Sequence, residues 1–241
     1  MNGKQGLGEK VAVEKRGSER QGTGLVFVIS APSGTGKTTL LRKVMEALPD
    51  LRFSISYTTR SPRANEKEGE DYHFIPCDRF QEMVERGEFL EWAEVVGNRY
   101  GTAKATIEGL TSEGFDLLLD VDTQGAKKVK EKLGHSILIF ILPPSYETLR
   151  KRLITRGLDS PEIIRSRLAS ARTEIEEAYR YHYVIVNERV EEAAEELKAI
   201  IIAERCRRNK DRVLAESNRE WEEEYGKNNG GRLLEDGGEP V

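Results

Sequence analysis

A glycine-rich segment at residues 31–38 constrains this chain more than any other feature of its sequence. The segment, Ala-Pro-Ser-Gly-Thr-Gly-Lys-Thr, follows an apolar run at residues 25–30 and precedes apolar residues at helical spacing. A buried strand that enters a helix through such a turn is the setting of a phosphate-binding loop. Gly34 and Gly36 let the backbone turn its amide groups inward, and the start of the helix adds its positive dipole end.

The loop predicts a bound nucleoside triphosphate. Lys37 supplies a cation for the outer phosphates, and the Thr38 hydroxyl is placed to ligate Mg²⁺. The first position is usually glycine, and Ala31 is tolerable there if it keeps an ordinary backbone conformation. We expect ATP to contact all eight residues: Ala31, Pro32, Ser33, Gly34, Thr35, Gly36, Lys37 and Thr38. The loop does not identify the acceptor, because GTPases, motors, transporters and small-molecule kinases all use it.

The order of apolar patterns predicts an α/β fold. Continuous apolar runs at residues 25–30, 117–121, 137–142 and 183–186 are typical of strands buried on both faces. Helical spacing lies between them, at residues 124–133, 146–156, 161–179 and 190–205. Strands that alternate with helices indicate a parallel sheet covered by helices on both faces.

Residues 54–102 interrupt this alternation. They are rich in Thr, Tyr, Phe, Glu and Arg and contain short alternating stretches, with one short helix expected at residues 79–86. We interpret them as a small, largely antiparallel insertion in a core formed by residues 24–53 and 103–204. Residues 1–23 are expected to be a flexible leader, and residues 205–241 a polar tail, helical or disordered.

Composition excludes several classes of protein. The 241 residues carry a net charge of −4, which gives no basic field for nucleic acid. The longest strongly apolar run, residues 137–142, is far too short to span a membrane. Cys77 and Cys206 have neither metal-ligand nor redox spacing and are most simply free thiols. We therefore expect a cytoplasmic enzyme.

Arginines and acids elsewhere suit phosphoryl transfer. Arg60 and Arg63 are spaced to bind a phosphate dianion in bidentate fashion, although an exposed charged hairpin would look similar. Asp120 ends a buried run at the edge where a magnesium-ordering carboxylate belongs, and Asp122 follows on the same side. A further arginine-rich segment lies at residues 149–167, and a solvated basic helix face is the alternative there.

Five segments in one order resemble the guanylate kinase family. They lie at residues 54–63, 71–74, 89–93, 97–102 and 119–125, within a similarity that extends from about residue 24 to residue 204. The resemblance implies a P-loop kinase fold and the Mg²⁺-dependent reaction of ATP with GMP to give ADP and GDP. It also implies a mobile lid at about residues 152–170, in which Arg152, Arg156 and Arg167 close over the transferred phosphate.

The resemblance also assigns the acceptor residues. Those implied for GMP are Ser56, Arg60, Arg63, Tyr72, Glu91, Tyr100, Thr102 and Asp122, and Asn187 is implied for adenine. The phosphate of GMP would be bound by Ser56, Arg60, Arg63 and Tyr72. The guanine end would be faced by Glu91, Thr102 and Asp122, with Tyr100 beside them. An ionised Glu91 can accept from both donors on the guanine edge, whereas adenine would oppose it with a lone pair. By the same resemblance, Lys37, Arg60, Arg152, Arg156 and Arg167 are the catalytic residues, with Thr38 and Asp120 holding Mg²⁺.

Two alternatives remain open from the sequence. One is a related kinase acting on another monophosphate or a phosphosugar, against which the insertion with Arg60, Arg63, Tyr72 and Glu91 argues. The other is a non-catalytic scaffold module, which would be expected to lose residues of the phosphate loop. No general base is needed for the leading hypothesis, because the acceptor phosphate has a second pKa of about 6.

Overall fold

The computed structural model describes residues 23–63, 66–95, 97–157 and 160–228. The strands are β1 Val26–Ser30, β2 Leu51–Phe53, β3 Tyr57–Thr58, β4 His73–Phe74, β5 Phe89–Val95, β6 Asn98–Ala103, β7 Asp116–Asp120, β8 Ile137–Leu142 and β9 Tyr183–Val186. The helices are α1 Lys37–Ala47, α2 Cys77–Glu85, α3 Lys104–Ser112, α4 Thr123–Lys132, α5 Tyr146–Thr155, α6 Pro161–Glu176 and α7 Val190–Asn228, with a 3-10 helix at Glu177–Arg180.

The first sheet is the predicted parallel one. Its strand order is β2-β7-β1-β8-β9, and every neighbouring pair is parallel. Apolar side chains cover both faces, as continuous apolar strands require. Leu40 of α1 and Leu197 of α7 belong to the cluster on one face, whereas Ile107 of α3 and Val129 of α4 belong to the other. The predicted α/β fold with helices on both faces is therefore confirmed.

The second sheet lies in the predicted insertion. Its order is β4-β3-β6-β5, in which β6 is antiparallel to both β3 and β5 while β3 and β4 are parallel. The ring of Phe80 on α2 stacks on that of Phe89, with centroids 4.6 Å apart, and anchors this helix to the sheet. The strands of the first sheet lie within residues 24–53 and 103–204, although the domain boundaries themselves stay a prediction.

Several elements differ from their predictions, and helix α3 is one that was not predicted. Strand β2 was not predicted, because three residues are too few to show a period. Helix α7 continues to Asn228, beyond the predicted helix at residues 190–205. The predicted leader, apart from Thr23, and residues 229–241 of the predicted tail lie outside the described residues. Among the helices that are described, none combines the length and apolar character needed to cross a membrane.

Candidate active site

The phosphate loop connects β1 to α1, which begins at Lys37. Gly34 and Gly36 have φ angles of 92° and 94°, in the left-handed region that side chains disfavour. A Cβ atom on either glycine would also lie 2.8 Å from another side chain, Leu153 at the first and Asn187 at the second. The two glycines are thus required by backbone conformation and by space. Ala31 packs its methyl group against the core cluster, so glycine is not needed for space there.

Lys37 and Asp120 form an ion pair at the carboxyl edge of the sheet. Asp120 is the last residue of β7 and lies beside Ile29 of the neighbouring β1, while Lys37 opens the helix that follows β1. The two side chains keep 17% and 27% of their accessible surface, so a ligand can reach both. The residues predicted for outer phosphates and for Mg²⁺ therefore occupy the same place.

A cavity of about 660 Å³ lies over the phosphate loop. Its lining includes the loop, Asp120, Asp122 and Arg156, together with Glu174 of α6. Burial raises the pKa of Glu174 to about 7, opposed by the nearby Lys37 ammonium and reinforced by the Asp122 carboxylate. Sequence analysis missed Glu174, since nothing in its surroundings distinguishes it from the other glutamates of that helix.

The three arginines predicted for the lid lie in different environments. Arg152 donates from Nη1 to the carbonyl oxygen of Thr35 at 2.8 Å and from Nη2 to that of Asn187 at 3.1 Å. Arg167 donates to the Ser33 hydroxyl. Arg156 lines the phosphate cavity. Arg152 therefore holds the loop in place and lines the cavity over it together with Arg156.

Asn187 lies against the loop and is 3% exposed. Its Nδ2 donates to the carbonyl oxygen of Thr35 at 2.8 Å. Its Oδ1 is buried without a hydrogen-bond partner among the described residues. A buried acceptor without a donor is costly, so this oxygen would gain from a donor brought to it.

A second cavity, of about 210 Å³, is lined by residues predicted for GMP, including Glu91 and Asp122 from the guanine end. Its lining includes Ser56, Tyr72, Glu91, Tyr100 and Asp122. Two of them are held by neighbouring atoms. Glu91 accepts a 2.6 Å hydrogen bond from the Thr102 hydroxyl, its partner across the β5–β6 pair, and Asp122 accepts one of 2.7 Å from the Gly125 amide at the start of α4.

Glu91 is a buried carboxyl with one described hydrogen-bond donor. It is 5% exposed. Burial raises its pKa, the hydrogen bond from Thr102 lowers it, and the Asp122 carboxylate raises it again. A Cβ atom at Gly125 would lie 2.9 Å from Glu91 Oε2, so the glycine gives the carboxylate its room. The group therefore gains strongly from any ligand that offers further N–H donors.

Arg60 and Arg63 converge on one carboxylate. Arg60 donates to both oxygens of Glu66, at 2.8 and 2.9 Å, and the Arg63 backbone amide donates to Glu66 at 2.8 Å. The bidentate pair lowers the pKa of Glu66 and raises that of Arg60. Burial, together with the Asp120 carboxylate, raises the pKa of Tyr72 to about 12, so its hydroxyl is a donor at neutral pH. Sequence analysis missed Glu66, although its spacing three residues after Arg63 was a possible signal.

The cavities adjoin one another. A third, of about 640 Å³, is lined by Arg60, Arg63 and Glu66 on one side and by Thr38 and Arg156 on the other. Tyr72 and Asp120 line all three cavities. The structure thus brings the predicted acceptor and donor residues to a common space around Asp120.

Known proteins share this arrangement of sequence and fold. Residues 24–204 match the family model described as guanylate kinase. The guanylate kinase of Geobacter metallireducens is 53% identical over 184 residues, which are 76% of this chain and 91% of that protein. That of Clostridium perfringens strain 13 is 44% identical over 203 residues, covering 83% and 94%. The crystal structure of guanylate kinase from Anaplasma phagocytophilum superposes with a TM-score of 0.64 at 38% identity, covering 76% of this chain and 87% of that one.

Proposed function

Because this chain belongs to the guanylate kinase family, we propose that the cavities around Asp120 bind its two substrates and align them for phosphoryl transfer. The activity is the transfer of the γ-phosphoryl group of ATP to GMP, which gives ADP and GDP. The observation that carries the proposed placement is that Tyr72 and Asp120 line all three cavities. Donor and acceptor phosphates can therefore meet at this point.

The phosphate loop is the proposed ATP site. Its backbone amides and the start of α1 provide donors and a positive dipole end for the β- and γ-phosphates. Lys37 would exchange Asp120 for the outer phosphates, since phosphate oxygens offer it equivalent anionic partners. Asn187 Oδ1 would accept from the adenine amino group, which is the donor that this buried oxygen lacks among the described residues.

Mg²⁺ is the proposed cofactor. The hydroxyl of Thr38 and the carboxylate of Asp120 are oxygen ligands of the kind Mg²⁺ prefers, and both line the same cavities. Few protein ligands are needed, because the ion keeps several waters and binds substrate phosphates. When bound, it would neutralise charge on the transferred phosphate. Removing divalent ions with a chelator should abolish turnover, and adding Mg²⁺ should restore it.

The insertion is the proposed GMP site. Glu91 would accept from the ring N1–H and the amino group of guanine, while Thr102 orients the carboxylate and Ser56 lies nearby to donate to the carbonyl. Arg60, Arg63 and Tyr72 would donate to the GMP phosphate.

Catalysis then depends on positioning and charge neutralisation. The GMP phosphate is already largely ionised at neutral pH, so no side chain needs to remove a proton. Arg156 is the lid arginine that lines both larger cavities, and it would stabilise charge on the transferred group. Arg152 and Arg167 would hold the loop against the lid helices.

A coupled assay of ADP formation with GMP, AMP, UMP and dTMP tests this assignment. We expect turnover with GMP at a kcat/KM at least about a thousandfold above that of AMP, because adenine leaves the buried Glu91 carboxylate unpaired. Turnover of another monophosphate with none of GMP would refute the proposed acceptor.

A cytoplasmic location stays a prediction, in keeping with the exposed free thiols of Cys77 and Cys206.

A further inference from the structure

Helix α7 extends beyond the part of the chain that matches the guanylate kinase family. The match ends at residue 204, whereas the helix continues to Asn228. At the boundary, Tyr183 donates to Glu204 at 2.6 Å, and both Arg205 and Arg208 bind the buried carboxylate of Asp116. Asp116 is the first residue of β7, so the extension leaves the core at the edge of the sheet opposite Asp120.

The extension has no core beneath it. Among its described side chains from Lys210 to Tyr225, all except that of Ser217 are exposed. Most of the stability of helices in proteins comes from packing of an apolar face, and the apolar face of this extension is not covered by the described residues. The extension is therefore expected to have a partner surface.

An exposed apolar stripe follows the extension. Its members are Ile202, Cys206, Val213, Leu214, Trp221 and Tyr225. Trp221 and Tyr225 keep 72% and 71% of their surface. Spacings of four and seven residues align Ile202, Cys206 and Val213 in one row and Leu214, Trp221 and Tyr225 in a second. Val213 and Leu214 are adjacent, so the two rows lie about 100° apart around the helix and together form one broad apolar side.

The stripe is symmetric about its own centre. The midpoint between Val213 and Leu214 is also the midpoint between Cys206 and Trp221, and between Ile202 and Tyr225. If two such helices pair in opposite directions about that midpoint, Cys206 lies opposite Trp221, Ile202 opposite Tyr225 and Val213 opposite Leu214. The same stripe in a parallel pair would place large on large and small on small.

The two halves of the extension carry opposite net charges. Residues 205–212 contain five basic residues and one acidic residue, whereas residues 216–224 contain five glutamates and one arginine. A parallel pair would bring like charges together, and an antiparallel pair brings the basic half of each helix to the acidic half of the other.

We propose that two copies of this chain associate through antiparallel pairing of their α7 extensions, about a twofold axis between Val213 and Leu214. The partner subunit's Trp221 packs on Cys206, and the partner subunit's Tyr225 packs on Ile202. The contact is isologous and closes at two copies. It lies away from the substrate cavities, so each protomer keeps its active site open to solvent.

Sedimentation equilibrium on the full chain tests the association. We expect a monomer–dimer equilibrium, and we expect the double variant V213E/L214E to raise the dimer dissociation constant by about tenfold or more, because four glutamates meet at the axis. Kinase activity per protomer should be unchanged. The control is Tyr179→Glu, since Tyr179 is 96% exposed on the 3-10 helix and lies off the stripe. A wild-type chain that stays monomeric at all concentrations would overturn the proposal.

Charge reversal provides a second test that does not touch the apolar stripe. Arg207 and Glu220 lie opposite each other across the proposed axis, and the Arg207 side chain is 72% exposed although it pairs with Glu204. Arg207→Glu or Glu220→Arg alone should weaken the dimer at low salt, and the double variant should restore it. If the double variant dimerises more weakly than either single variant, this register is wrong.

Cysteine cross-linking tests direction. In a Cys77→Ser background, Cys206 has no cysteine opposite it in the antiparallel register, so mild oxidation should give no covalent dimer. Adding Trp221→Cys should give one, because positions 206 and 221 are opposite each other. A disulfide between two Cys206 residues without that substitution would show a parallel pair and overturn the proposal.

Discussion

Replacement of Glu91 by glutamine tests how the site selects guanine. The substitution keeps the volume of the side chain and one carbonyl oxygen, which can still accept the 2.6 Å hydrogen bond from Thr102. The other end becomes an NH₂ group, which would point at the N–H donors of guanine. One of the two charge-assisted hydrogen bonds from guanine to the carboxylate is lost. The other N–H group of guanine then faces the NH₂ group of the glutamine, which is also a donor.

The size of the effect follows from burial. Glu91 is 5% exposed, so water cannot replace the lost acceptor. Hydrogen bonds to a charged group contribute about 1.5–3 kcal/mol, and an unsatisfied buried donor costs about 1–3 kcal/mol. Part of this is offset because the amide needs no desolvation of a charge. A net loss of about 3–4 kcal/mol corresponds to a fall in kcat/KM for GMP of roughly a hundredfold to a thousandfold.

Steady-state kinetics with GMP and AMP provide the measurement. The ratio of the two kcat/KM values should fall sharply, since the new amide can donate to the ring nitrogen of adenine. Glu94→Gln, at an exposed position on the same strand, is the matched control. A Glu91→Gln enzyme with kcat/KM for GMP within about threefold of wild type would refute the role argued for this carboxylate.

The same variant makes a prediction about stability. Burial raises the pKa of Glu91 in the folded state, so the folded protein holds this proton more tightly than the unfolded chain does. The stability it contributes is present below the unfolded pKa and is lost as pH rises through the folded one. Without GMP, the Tm of Glu91→Gln should therefore exceed that of wild type at pH 8, and the difference should shrink in acid. An equal Tm difference at both pH values would contradict this.

Three further substitutions test the rest of the site. Lys37→Ala should lower kcat by about a hundredfold to a thousandfold while GMP binding measured by calorimetry stays the same, with the exposed Lys43→Ala as control. Glu66→Gln should raise KM for GMP about tenfold with a smaller effect on kcat, because the bidentate partner of Arg60 is lost; an unchanged KM would show that Arg60 needs no such partner. Glu174→Gln should raise the Tm by several degrees at pH 8 and little at pH 5. Burial raises the pKa of Glu174 to about 7, so the wild-type protein loses stability as this carboxyl ionises with rising pH, whereas glutamine stays neutral. A Tm difference between variant and wild type that is the same at both pH values would contradict this.

The parallel sheet was predictable because each of its longer strands contains a continuous apolar run. A strand covered by helices on both faces has no polar side, so β8 matches its predicted bounds at both ends. The edge strand β9 also matches its bounds, because its four residues are apolar or aromatic although Val184 and Val186 are exposed. The phosphate loop was predictable for a different reason: the left-handed conformations at Gly34 and Gly36 exclude other residues. Short strand β2 was missed, since burial of Leu51 depends on β7, whose position the local sequence does not contain.

The partners of the predicted residues were harder to derive. Glu66 and Glu174 are glutamates in a chain with many acidic residues, and only the tertiary structure shows which of them face a cavity. The contacts of Arg152 likewise depend on the tertiary structure. Its acceptors are the backbone carbonyls of Thr35 and Asn187, which a pattern of side chains cannot reveal.

The pairing of Lys37 with Asp120 has a consequence for substrate binding. Both side chains are partly exposed, so the pair itself stabilises the protein by about 1 kcal/mol or less and can be exchanged at little cost. If ATP entered without a cation, Lys37 would move to the phosphates and leave the Asp120 carboxylate unpaired beside them, which is unfavourable because like charges repel. If Mg²⁺ enters with ATP, each member of the pair gains a partner of the opposite charge. ATP should therefore bind more weakly without Mg²⁺, and an Asp120→Asn variant should lose much of that difference, as measured by calorimetry with and without chelator. If the affinity for ATP depends on Mg²⁺ equally in the variant and in the wild type, Asp120 is not the source of this dependence.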